Sequence, residues 1–293
     1  MTKNIRISLY ILVPILLWMI SGFFVSDDKK IEGAKNELFT VGTFQSNAVK
    51  YQPTIKLKAT SQSEARVNVR AKTSGEVVKI GSKQGEFVQK DSILCSLGVV
   101  ELNRTEVKAP FAGFIEQIVK PGNFLERGQV CATIIQLNPI IFTAEVPEFN
   151  INKVETGQNV TIKLITGEII EGKLTFVSKS ASPSTRTFKV ESQIQNKKGM
   201  IRDGITAEMI IKTNQVDAHK ISPSILLLND NGKIGVRSVK NNKVIFHNVT
   251  ILEDSESGLW ISGIPNNIEL IVQGQGFVED GQEVLINRLS QKL

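Results

Sequence analysis

Two histidines, two cysteines and four methionines are the side chains from which this sequence could assemble a soft metal site or a nucleophilic centre. His219 and His247 stand 28 residues apart, and neither has a second ligand residue at metal spacing, so both read as hydrogen-bonded or solvated surface. Met1, Met19, Met200 and Met209 form no cluster, which argues against a thioether site for a soft cation. Cys95 and Cys131 sit in the apolar, strand-like runs LCSL and VCATII. Two cysteines build neither a zinc knuckle nor a disulfide framework. They leave two readings open: buried structural thiols, or a single disulfide formed outside the cytoplasm. Serines, histidines and aspartates are scattered without a G-x-S-x-G elbow. Gly274, Gly276 and Gly281 in QGQGFVEDGQ imitate a phosphate loop, but such a loop must open a helix, and the EVLI that follows reads as a strand. No catalytic, metal or cofactor-binding group is legible, and the chain is read as a non-enzyme.

If the chain does no chemistry, its elements must serve placement. At 293 residues it is too long for one ordinary core, and two or three domains are expected. The net charge is +6, but the 35 basic residues are interleaved with 29 acidic ones. A nucleic-acid footprint needs a clustered basic face, so nucleic acid is not an expected partner. Residues 7–25, ISLYILVPILLWMISGFFV, carry no charge over nineteen positions, enough to cross a bilayer as a helix. Lys3 and Arg6 precede them and Asp27 and Asp28 follow, so the rest of the chain is expected outside the cytoplasm. The run exceeds a usual signal-peptide core and lacks an A-x-A site, which favours a single-pass anchor over a cleaved signal. Residues 1–26 are therefore the anchor or signal, and the polar stretch 27–38 is a tether.

The folded part opens with an internal repeat. AKTSGEVVKIGSKQGEFVQKDSILCSL, from Ala71, recurs as APFAGFIEQIVKPGNFLERGQVCATII, from Ala109. Gly75 matches Gly113, Gly85 matches Gly122, and Phe87 matches Phe124. Alternating apolar residues between glycines predict short half-buried strands, with the four glycines taken as turn residues of positive φ. Two such units, each too small to bury its own face, are expected to pack as a small β-sandwich.

This repeat resembles the biotinyl/lipoyl domain, over residues 64–137. In the acyl-carrying members a lysine marks the turn between the halves; here that position is Leu102, in VVELNRT, so no biotin or lipoate can be attached. Further on, VPE at Val146, KVETGQNV from Lys153, EGKLTFVS from Glu171, STRT from Ser184 and DGITAEM from Asp203 follow in an order that resembles the β-barrel domain of membrane fusion proteins, the HlyD-like periplasmic adaptors. Ser182 stands where the family has an acidic residue before the TRT element. The segment from Ile221 to Ile286 resembles the membrane-proximal domain of the same family.

The resemblance implies a mainly β fold: a transmembrane helix, a lipoyl-like sandwich over 64–137, a barrel from 53–60 plus 138–216, and a membrane-proximal domain from 39–47 plus 217–293. It implies a periplasmic adaptor that couples an inner-membrane efflux transporter of the resistance-nodulation-division (RND) type to an outer-membrane channel, as a homo-oligomer anchored in the inner membrane. An ABC-type exporter or secretion system, or a stand-alone envelope binding protein, is the rival reading. Better-known members insert a helical hairpin between the lipoyl halves. Only eleven residues, Gly98 to Lys108, separate them here, too few for two helices. Gly98, Val99, Leu102 and Arg104 are then the expected distal-tip contact, and Trp260, in SGLWISG, the expected contact to the pump.

Overall fold

The computed structural model describes residues 12–20, 38–98, 105–255 and 258–289. It divides into two units, one of residues 47–223 and 249–266, the other of residues 1–46, 224–248 and 267–293.

The larger unit is organised by two long antiparallel strands, Thr54–Arg70 and Val130–Pro147, which pair along their lengths with a register shift between Gln136 and Ile140. On one side of the shift, Thr54–Thr60 pairs with the strand Thr206–Lys212, and Ile140–Pro147 pairs with Thr187–Ile194. Asn159–Leu164, Ile169–Lys173 and Phe176–Ala181 complete this part of the sheet. Alternation decides which face is buried: Ile140, Phe142, Ala144 and Val146 all point into a core shared with Ile162, Val190 and Met209.

On the other side of the shift the same two strands build a sandwich. Residues 65–70 and 130–136 join Gly113–Ile118 and Phe87–Val88 in one sheet. Thr105–Lys108, Ile93–Gly98, Gly75–Ile80 and Phe124–Leu125 form the other. The halves of the repeat do not pack as two separate hairpin units. Each lends its short strand to the other: Phe87–Val88 of the first pairs with Gly113–Phe114 of the second, and Phe124–Leu125 of the second with Gly75–Glu76 of the first. Between the sheets Val77, Leu94, Leu97, Val107, Ile115 and Ile134 form one buried cluster. Cys95 and Cys131, left open between free thiols and a bridge, are joined as a disulfide across the sheets, with Cα atoms 6.5 Å apart.

A four-stranded sheet of Val49–Tyr51, Val216–Ile221, Gly258–Ser262 and Thr250–Ser255 closes the larger unit. The segment 217–293, expected as one domain with 39–47, is divided by it. Position 217 falls inside a strand hydrogen-bonded on both sides, to residues 49–51 and 259–261, so the chain has no break there. Likewise the boundary expected between 60 and 64 falls inside the strand Thr54–Arg70.

In the smaller unit, Phe39–Asn47 lies parallel to Val284–Arg288. Ile234–Lys240 and Lys243–Asn248 form a hairpin whose turn places Asn241 and Asn242 at φ +52° and +60°, the geometry that matches strand twist. Val41, Val239, Val244, Ile271, Val278 and Val284 are its buried cluster. Residues 12–20 are helical. Among the described residues no helix is long and apolar enough to cross a membrane, and the remainder of the expected span 7–25 lies outside them.

Candidate functional site

The duplicated sandwich has two equivalent ends, and they carry different side chains. At the barrel end, a row across the sheet reads Phe87, Phe114, Ile135, Arg66. At the far end, the matching row reads Phe124, Glu76, Gly98, and Gly98 leads into residues 99–104. Gly98 closes its strand beside Val78; Val99, Leu102 and Arg104, the other expected tip contacts, lie outside the described residues. Leu97 and Thr105 are cross-strand partners, so only the seven residues 98–104 separate them where a helical hairpin would be inserted.

The repeat glycines serve two purposes. Gly85 and Gly122 stand at φ +87° and +86°, in the left-handed region open to glycine. Gly75 and Gly113 are not turn residues. Each opens a strand, and a Cβ there would lie 2.5 Å from a backbone oxygen, that of Gly98 or of Ile135. Glycine is required at both by close approach of two chains, not by turn geometry.

The outward side chains at the barrel end are engaged. Phe114 meets Phe87 edge-on at 5.2 Å between centroids and covers Gly199, whose Cβ would fall 2.7 Å from the ring. Glu116 accepts from Arg66 at 2.7 Å, and the same guanidinium reaches Asp203 at 2.7 Å. At the far end the counterparts are Phe124, 64% exposed, Glu76 and Val78, all solvent-facing.

Trp260, the expected pump contact, stacks on Tyr51 at 4.1 Å with 12° between the rings. Tyr51 donates to Glu253 at 2.7 Å; burial first, and that carboxylate second, push its phenol up to about 12. His219, expected at the surface, is buried at 1% exposure inside the strand Val216–Ile221, because its side of that strand faces inward. Burial lowers its basicity, opposed by a hydrogen bond to the backbone of Pro265. His247 lies 2.8 Å from Ser238 Oγ, a serine–histidine pair that sequence spacing did not disclose. Ser238 is 2% exposed, and the pair ties adjacent strands. Among the described residues no group of three or more potential ligands could hold a metal.

Comparison with known proteins bears on the same regions. Residues 141–215 match the CusB-like β-barrel domain. The membrane fusion protein MtrC of Neisseria gonorrhoeae is 23% identical over 77% of this chain; the match spans 57% of that relative's length. The crystal structure of MacA from Actinobacillus actinomycetemcomitans superposes with a TM-score of 0.60 at 14% identity, over 78% of this chain and 98% of that one. ZneB from Cupriavidus metallidurans gives 0.51 at 13% identity, over 82% and 94%. The chain is thus similar over most of its length to a membrane fusion protein, and it shares its fold with MacA and ZneB.

Proposed function

We propose that the protein is a single-pass, inner-membrane-anchored adaptor, with its bulk in the periplasm, that links an RND-type efflux transporter to an outer-membrane channel as a homo-oligomer. The observation that carries this reading is the pair of long strands, Thr54–Arg70 and Val130–Pro147, that carry a disulfide-clasped sandwich beyond the barrel, with Phe124, Glu76 and Val78 of its far end exposed. This exposed end suits a distal docking role for Gly98, Val99, Leu102 and Arg104. The Cys95–Cys131 disulfide supports an oxidising compartment. The transmembrane anchor rests on the uncharged run 7–25 and its flanking charges. Trp260 is proposed as the contact to the transporter.

The test is photocrosslinking in native membranes from benzoylphenylalanine at position 260 and at position 102, the aromatic replacement retaining a ring against Tyr51. The expected result is a polytopic transporter from position 260 and an outer-membrane channel from position 102. Crosslinks at both positions only to envelope proteins unrelated to transport would sink the reading.

A further inference from the structure

The duplicated sandwich makes one cavity that its symmetry does not require. Its volume is about 450 Å³, within the range of roughly 300–1,000 Å³ usual for small-molecule sites. Phe87, Phe111 and Phe114 line it from the sandwich, and Lys197, Lys198 and Gly199 from a loop of the barrel. At the far end Glu76 stands in the place of Phe114.

This cavity is held open by its own walls. The buried Asn196 side chain donates to the Leu137 and Ile201 carbonyls, at 3.0 and 2.7 Å, and accepts from the Ile201 amide at 3.2 Å. Its backbone N–H donates to Asn138 Oδ1 at 2.9 Å. The loop is thus tied to the strand Val130–Pro147 at its register shift, where sandwich passes into barrel. Phe87, met edge-on by Phe114 on one side, remains 52% exposed at the cavity. Lys197 and Lys198 are exposed, and among the described residues neither has an ion pair or hydrogen bond. Two carboxylates of the joint, Glu116 and Asp203, are already held by Arg66. Apolar rings and two cations without a protein partner in one lining select a molecule with an apolar body and one anionic head.

We propose that this cavity binds a free amphipathic anion, of the class of long-chain carboxylates, with its tail against Phe87, Phe111 and Phe114 and its head at Lys197 and Lys198. The ligand touches both the sandwich and the barrel, so binding stiffens the joint between them. The site goes beyond the adaptor reading and does not depend on it.

The full chain in phosphatidylcholine nanodiscs is irradiated with a diazirine-bearing palmitate, and labelled residues are mapped by mass spectrometry. Labelling is expected at Phe87, Phe111 or Phe114, competed by dodecanoate and reduced at least tenfold in the double variant Lys197→Glu/Lys198→Glu. The methyl ester of the probe should label the site at least tenfold less. These surface changes leave the fold intact, which an unchanged melting temperature checks. The proposal is overturned if labelling falls elsewhere, persists in the double variant, or is equal for the ester. It is also overturned if phosphatidylglycerol in the disc displaces the probe and dodecanoate does not, since the site would then hold a lipid headgroup.

Discussion

The two ends of the sandwich are one backbone used twice, and the side chains that differ between them mark where each end leads. Hydrogen bonds repeat with near-perfect correspondence: Gly85 N–H to Ile115 O and Gly122 N–H to Val77 O, Gly81 N–H to Leu94 O and Val119 N–H to Cys131 O, each between 2.8 and 3.0 Å. The close-approach glycines, Gly75 and Gly113, repeat as well. Phe114 and Glu76 do not. At the barrel end the apolar residue is covered by the Gly199 loop, and at the far end the acidic one faces solvent. Duplication therefore constrains the backbone at both ends equally, while burial by the barrel acts on one end alone.

The sharpest way to break this equivalence is to cut the bond that joins the sheets. The Cys95–Cys131 bridge closes 36 residues of chain, and its loss in Cys95→Ala/Cys131→Ala should cost about 4 kcal/mol in urea unfolding of the sandwich. A cost under about 1 kcal/mol would mean that the duplicated core holds the halves together unaided. Next in size are Gly75→Ala and Gly113→Ala, each expected to lose about 3 kcal/mol because a Cβ meets a carbonyl oxygen within the sheet. If only one is costly, the backbone equivalence is not energetic.

The unequal pair comes third. Phe114→Ala should cost about 2 kcal/mol, whereas Glu76→Ala should change stability by less than about 0.5 kcal/mol, measured on the same unfolding curves. Smaller still is a contrast at the left-handed turns, where Asp91 at φ +65° occupies the place of Gly128 at φ +91°. Gly128→Ala should lose about 1 kcal/mol and Asp91→Gly less than about half of that, since aspartate tolerates this conformation.

Acid should separate the repeat from the rest of the chain. Burial holds His219 and His247 below their ordinary 6.5, and Arg288 holds Glu269 below its ordinary 4.5. The unfolded chain binds protons at these sites more readily than the folded one, so stability falls as pH drops below about 6.5, and again as it approaches the range of Glu269. All three residues lie outside 64–137. Hydrogen exchange at pH 5.5 against pH 7.5 should therefore show loosening in the strands Val216–Ile221 and Lys243–Asn248 before the sandwich; earlier loosening of the sandwich would contradict this assignment.

Much of the molecule is legible in its sequence. The alternation in ILCSL and IIFTAEVP marks strands because side chains on a strand alternate between faces, and the spaced repeat of glycine and phenylalanine marks the duplication. Turn pairs such as Asn241–Asn242 carry their own conformation. These are local properties, and local physics is written residue by residue. What lay beyond the sequence depends on partners remote in the chain. The exchange of short strands between the halves, the close-approach role of Gly75 and Gly113, and the inward side of His219 follow from which strand lies alongside. The choice between two thiols and one disulfide is of the same kind. The apolar runs around residues 95 and 131 suit buried thiols and permit a bridge, and only the folding of two sheets face to face, with Cα atoms 6.5 Å apart, decides it.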